Sequence, residues 1–291
     1  MKAPLNWIKQ YVDLDGISSE EIVQGLTNAG LEVIEIKKEG KDTILEFEIT
    51  SNRPDWLSVY GIARELAAIF CRELRKLKPP SYSSCTKEIK IIVEDESLCP
   101  LYTARIIENI QVKDSPEFIK TYLHSCNINI INNIVDITNY CLLEIGQPLH
   151  AFDLDKLHLP LSIRCAKEGE KIITLDGKER ILSPEILIIA DQKGPVAIAG
   201  VMGSAHTEVD NSTKKILLES AIFSSVYVRR ATRLLGISTE SSYRFERGCT
   251  LWSVDTGSRR ATELIEKYAE GKFITFESRK KKLSSKDNFI L

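Results

Sequence analysis

Gly236-Ile237-Ser238-Thr239-Glu240-Ser241-Ser242-Tyr243-Arg244-Phe245-Glu246-Arg247-Gly248 sets four charged side chains, four aliphatic hydroxyls and two aromatic rings between two glycines. Both glycines can take φ > 0 without steric cost. The charges at 240, 244, 246 and 247 follow neither a period of 3.6 nor one of 2, which argues against an amphipathic helix and against a half-buried strand. Two readings remain. Either the segment is a solvated loop of turn formers, or it is one wall of a polar site.

Upstream clusters of similar character favour the wall. They are Asn132-Asn133-Ile134-Val135-Asp136-Ile137-Thr138-Asn139-Tyr140, Gly146-Gln147-Pro148-Leu149-His150-Ala151-Phe152-Asp153, Ala197-Ile198-Ala199-Gly200-Val201-Met202-Gly203 and Leu218-Glu219-Ser220-Ala221-Ile222-Phe223. In this order the motifs resemble the editing module of the β subunit of bacterial-type phenylalanyl-tRNA synthetases. Leu5-Asn6-Trp7-Ile8-Lys9-Gln10-Tyr11-Val12 and Thr50-Ser51-Asn52-Arg53-Pro54-Asp55 are similar to that subunit's first domain. The resemblance runs over about residues 1–275.

Composition bounds the rest. A chain of 291 residues, 43% hydrophobic and 27% charged, fits two globular domains with a real core. With 39 basic against 41 acidic groups there is no bulk attraction to nucleic acid, so any RNA contact must come from local patches. Seven cysteines, never spaced Cys-x-x-Cys, argue against a zinc site and a disulfide framework and for a reducing compartment. The first residues lack an apolar signal core and no run of 18 apolar residues occurs, so a cytoplasmic protein without membrane contact is expected.

The expected fold class is mixed α+β: a small N-terminal helix-and-hairpin domain over residues 1–84, then a larger mixed-sheet module over 85–275, then a tail over 276–291. Ser18 and Glu21 predict a capping box ahead of Ile22, Val23 and Leu26, and Gly30 suits the helix end. Leu31–Ile36 and Thr43–Ile49 alternate as two half-buried strands that pair. In the family an oligonucleotide-binding barrel is commonly inserted between two such strands, whereas Lys37–Lys41 is only a short turn. Pro54-Asp55 opens a predicted helix to about Phe70, with Arg64 and Glu65 facing solvent. The Pro- and Ser-rich Lys78–Ser84 marks a boundary near residue 84. Beyond it, strands are expected at 89–93, 102–107, 161–165, 171–175, 186–190, 196–199 and 215–221, and helices at 115–125, 133–143 and 252–269. The last of these helices closes the module. The tail Ser278-Arg279-Lys280-Lys281-Lys282-Leu283-Ser284-Ser285 resembles the opening strand of the subunit's next domain, and its basic run reads as a solvated face.

The resemblance implies a specific chemistry, hydrolysis of tyrosine wrongly esterified to tRNA(Phe). A pocket shaped for phenylalanine rejects an added hydroxyl poorly, whereas a site that must hydrogen-bond the hydroxyl rejects the analogue lacking it by about 10⁴–10⁵ in favourable cases. Glu219, at the end of an apolar strand, is the candidate reader of that hydroxyl, since a carboxylate there is costly without a donor. Gly200 and Gly203 suit a wall approached closely by a ring, Ala199 keeps it shallow, and Ser204 stands at the rim where the family has glycine. His150, in a rigid turn after Pro148, and Thr239 are implied to face the ester, with Ser241 beside the substrate. Asn139 either binds substrate or caps its own helix. Arg244 and Arg247 pair either with tRNA phosphate or with Glu240 and Glu246. Thr250 replaces the family's aspartate and is expected to cap a helix. No nucleophile-elbow pattern occurs, so a positioned water is expected rather than a covalent intermediate.

No Gly-x-x-x-x-Gly-Lys-[Ser/Thr] or Gly-x-Gly-x-x-Gly occurs, so the chain itself is expected to need no cofactor, with ATP and Mg²⁺ serving only the complete synthetase. The implied partners are tRNA(Phe) and the synthetase α subunit. Three readings stay open: a β subunit or a fragment of one, a free-standing editing deacylase, and a non-enzymatic tRNA- or partner-binding module.

Overall fold

A computed structural model of the chain describes residues 1–83 and 89–280; the boundary near residue 84, Cys85 and the basic residues after Lys280 lie outside that range. The chain opens with β1 (Lys2–Pro4), α1 (Leu5–Ile8), α2 (Ser19–Asn28), β2 (Glu32–Glu39), β3 (Asp42–Glu48) and α3 (Val59–Ile69). Then come β4 (Ile91–Val93), β5 (Leu101–Glu108), α4 (Glu117–Ser125), α5 (Asn133–Ile145), β6 (Leu149–Asp153), β7 (Leu161–Cys165), β8 (Lys171–Ile173), β9 (Glu179–Ile181), β10 (Leu187–Ala190), β11 (Pro195–Ile198), β12 (Met202–Gly203) and β13 (Lys215–Ile222). The last elements are α6 (Ser225–Leu235), α7 (Glu240–Phe245), α8 (Leu251–Tyr268) and β14 (Lys272–Lys280). This is the expected α+β class.

Local chemistry explains many element ends. Ser18 and Glu21 form the capping box of α2, and Gly30 follows it at φ +93°, as their residue types require. Thr250 and Ser253 form an equivalent box at α8. The Pro54–Phe70 segment, by contrast, is not one helix. Pro54–Trp56 makes a single 3₁₀ turn, and Ser58 starts α3 by accepting a hydrogen bond from the Gly61 amide. The break is possible because a β carbon at Gly61 would lie 1.8 Å from the Asp55 carbonyl oxygen. Glu65 turns back onto the Arg53 guanidinium and the Trp56 indole rather than facing water, while Arg64 stays exposed.

The strands form sheets in the orders β1-β3-β2, β12-β11-β10-β7-β4 and β14-β5-β13-β6, plus the β8–β9 hairpin. The predicted β2–β3 pair is present, but β2 is an edge strand with a bulge between Val33 and Glu35. That shift leaves Ile34 and Ile36 more than half exposed, where simple alternation had them half buried. At the other end, Phe276–Lys280, expected in the tail, continue β14 and pair with β5. Thus β14, not α8, closes the module.

Strand β13 divides the interior. Ile216 and Leu218 look into a core shared with α3, α5 and α8, and residues from Ala3 to Ala67 pack into the same core. Leu217 and Ala221 look the other way, toward β7, β10 and β11. The early and late parts of the chain are also tied by polar groups: Tyr11 and Arg260 both donate to the wholly buried Glu144 carboxylate.

Candidate functional site

Glu219 belongs to the Leu217–Ala221 face of β13. The period-2 alternation of a strand places its carboxyl between two fully buried apolar neighbours. It is not at the strand end, since β13 runs on to Ile222. Antiparallel register sets Glu219 directly opposite His150 on β6 and opposite Ala104 on β5, so His150 projects from the same face. His150 therefore sits on a strand rather than in a turn. The turn before it is held by Gln147, whose side-chain amide donates to the Ala221 and Pro148 carbonyls while Ser253 donates to its oxygen.

The two side chains open onto a cavity of about 50 Å³ whose lining also includes Gly200, Gly203, Ser241 and Phe245. Neither polar group is satisfied. Among the described residues no side chain or amide hydrogen-bonds the Glu219 carboxyl, and the His150 Nε2 is buried without a partner. Burial pushes the Glu219 carboxyl up to about 8 and the His150 imidazole down to about 4. At neutral pH the imidazole is uncharged and the carboxyl is largely protonated. The imidazole edge rests on Phe152, with ring centroids 4.4 Å apart.

Both glycines are required by contact. A β carbon at Gly203 would fall 2.5 Å from His150 Cε1 and Nε2, so only glycine lets β12 lie against the imidazole. Gly200 has φ +72°, and its β carbon would meet Phe245 at 2.9 Å and Val228 at 3.0 Å. Ser241 reaches the cavity because Thr239 ends the preceding loop and starts α7. The 236–248 segment is thus in part a six-residue helix, whose period is hidden because charge and burial do not coincide along it.

Other expected site residues lie elsewhere. The Thr239 hydroxyl accepts from the Ser242 amide and donates to the Val201 carbonyl, so it pins α7 to the cavity wall, and it is not among the residues lining the cavity. Ala199 is buried in the core behind that wall. Asn139 sits in mid-α5 away from the cavity, and the cap of that helix is Asn132. Ser204 turns from the rim to accept from the His206 amide. Arg244 is buried: it donates to the Leu57 and Glu240 carbonyls and the Glu240 carboxylate, a structural tie that leaves its Nη2 buried without a partner. Arg247 lies over the Tyr243 ring, 3.4 Å from its centroid, rather than pairing with Glu246.

Some residues had no signal. Phe245 and Ile189 line the cavity, yet apolar side chains are indistinguishable from core in one dimension. Tyr102 is fully buried with its hydroxyl unpartnered, one diagonal step from Glu219 across the β5–β13 pair, and only register reveals that nearness. Among the described residues no helix is long and apolar enough to cross a membrane, and no three acidic, His or Cys side chains gather as metal ligands.

The sequence pattern of the B3/4 domain matches residues 98–270, which takes in β5 through α8 and so the whole cavity. The phenylalanine–tRNA ligase beta subunit of Aquifex aeolicus is 46% identical over 277 residues, covering 89% of this chain and 36% of that protein. The protein of the same name from Fusobacterium nucleatum is 45% identical over 236 residues, covering 79% and 29%. The chain therefore spans about a third of the length of the curated relatives it matches. A crystal structure of an N-terminal fragment of the phenylalanyl-tRNA synthetase beta subunit from Pyrococcus horikoshii aligns at 16% identity with a TM-score of 0.45, over 94% of this chain and 75% of that one. With most of its length matched by that one pattern, the chain belongs to the B3/4 domain family.

Proposed function

We propose that the chain is the N-terminal and editing part of a phenylalanine–tRNA ligase beta subunit, acting in the cytoplasm, and that its cavity hydrolyses tyrosine esterified to tRNA(Phe). The charging reaction, with ATP and Mg²⁺, belongs in this reading to an α subunit partner. The observation that carries it is the cross-strand pair Glu219–His150: two unpartnered polar groups on one sheet face, opening onto a glycine-walled cavity. A buried carboxyl without a partner penalises any occupant that brings it no hydrogen-bonding group. Tyrosine supplies it; phenylalanine does not.

The second half of the chemistry needs little from the protein. An aminoacyl ester is already activated, and positioning a water next to it supplies much of the barrier reduction. Neutral His150 offers Nε2 as a hydrogen-bonding group for water or ester. Neither Ser241 nor Thr239 is hydrogen-bonded to it, so the geometry favours a water nucleophile over an acyl-enzyme. The test is deacylation of preformed Tyr-tRNA(Phe) and Phe-tRNA(Phe) by this chain alone. Faster release of tyrosine supports the reading; equal rates at the uncatalysed level refute it.

A further inference from the structure

We infer that the outer face of α6 is a docking surface for the phosphodiester backbone of the tRNA acceptor end, an inference that rests on the editing function proposed above. Arg229, Arg230 and Arg233 stand on a groove of about 490 Å³, bordered by Val226, Leu234 and the single acid Glu246. Arg229 is 53% and Arg230 40% exposed at the side chain. Arg233 is exposed and has no hydrogen-bond or ion-pair partner among the described residues. The two existing pairs are loose, Arg229 with Glu246 at 3.5 Å and Arg230 with Glu185 at 3.8 Å. Exposed pairs of this kind contribute about 0–1 kcal/mol, so phosphates can replace the carboxylates at little cost. Three arginines on a chain of net charge −2 are a local concentration of positive charge, which is what such a protein needs to hold RNA.

The position of the face selects the occupant. The buried side of α6 packs behind the cavity wall: Val228 is 3.0 Å from where a β carbon at Gly200 would be, and Gly200 lines the cavity. Phe245 lines the cavity and the next residue, Glu246, lines the groove. Groove and cavity are thus separated by the thickness of one helix, about 10–12 Å with side chains. In this reading, a nucleotide whose aminoacyl ester enters the cavity continues into phosphates that reach this helix. Arginine suits them, since its planar fork donates two parallel hydrogen bonds to one phosphate.

The test uses the whole chain with Arg229, Arg230 and Arg233 changed together to Ala, and separately to Lys. Binding of uncharged tRNA(Phe) is titrated against salt, and hydrolysis is compared between Tyr-tRNA(Phe) and 3′-O-tyrosyl-adenosine, which has no phosphate. With about 0.7 counterions released per single-strand phosphate, the triple Ala variant should flatten the plot of log K against log salt by about 2, equivalent to roughly 100-fold in affinity at 0.1 M salt. The Lys variant should keep most of the slope, and tyrosyl-adenosine hydrolysis should not change. Arg233→Glu, at an exposed side chain without a hydrogen-bond or ion-pair partner among the described residues, should weaken binding without unfolding the protein. An unchanged slope overturns the inference, as does equal loss on both ester substrates, or loss of α-subunit binding with the tRNA slope intact. If the chain hydrolyses neither ester, the editing function falls while the salt titration still decides what α6 binds.

Discussion

Replacing Glu219 by Leu should stabilise the protein and remove its preference for tyrosine. The carboxyl lies between Leu217 and Ala221, both wholly buried, and is itself 5% exposed without a partner. Burial raises it from 4.5 to about 8, so its ionisation inside the fold costs on the order of 5 kcal/mol at about 1.4 kcal/mol per pH unit. The sign follows from proton binding. Between pH 4.5 and 8 the folded state holds more protons than the unfolded state, so stability is full below 4.5 and falls as pH rises through 8. Urea denaturation at pH 5 and pH 9 should show that fall in the parent chain, by about 4 kcal/mol, and lose most of it in Glu219→Leu. The same substitution removes the acceptor for a substrate hydroxyl. Leucine leaves the bound tyrosine hydroxyl buried without a partner, which costs about 1–3 kcal/mol, so Tyr-tRNA(Phe) hydrolysis should drop roughly 5- to 150-fold. Phe-tRNA(Phe) hydrolysis should hold or rise. Gain of stability with loss of selectivity marks a residue kept for its chemistry. A variant that is less stable than the parent at pH 9, or that keeps its tyrosine preference, would refute this reasoning.

Three further outcomes follow from the same geometry. Gly203→Ala sets a methyl 2.5 Å from the His150 ring, so it should cost about 1–3 kcal/mol in thermal unfolding and abolish hydrolysis. Adding His150→Ala should restore much of that stability, and strict additivity of the two changes would show that they do not touch. His150 works in the opposite sense to Glu219: held at about 4, it contributes stability that is present above 6.5 and lost as pH falls to 4, and His150→Phe should remove this acid sensitivity from denaturation curves. Thr239→Val should cost about 1 kcal/mol, the typical value of a lost cap, whereas Thr239→Ser should retain both stability and hydrolysis; loss of hydrolysis in the Ser variant at full stability would put Thr239 at the ester.

Much of the architecture is carried by local chemistry. The capping boxes at Ser18 and Thr250, the glycine after α2 and the apolar runs of β10, β11 and β13 each follow from a few adjacent residues. Such signals are readable along the chain because cap and alternation involve neighbours no more than four residues apart. Where they failed, a nonlocal contact was deciding: the bulge that exposes Ile34, the approach of Gly61 to Asp55 that splits a helix, and the pairing that recruits Phe276–Lys280 to β5.

The site divides along the same line. By itself the sequence determined the types of residue present: an isolated carboxylate in an apolar strand, a histidine after a proline, two glycines three apart. Only the tertiary structure decided which of them meet. Register between β6 and β13 sets Glu219 opposite His150, and the tight packing of β12 explains Gly203. It also ties the Thr239 hydroxyl into a cap, Ala199 into the core and the Arg244 guanidinium into interior hydrogen bonds, and it leaves Asn139 in mid-α5 outside the cavity lining. The physical reason is that residue type is a property of one position. Desolvation and partnership, which give a carboxyl or an imidazole its function, depend on residues as distant in the chain as His150 is from Glu219.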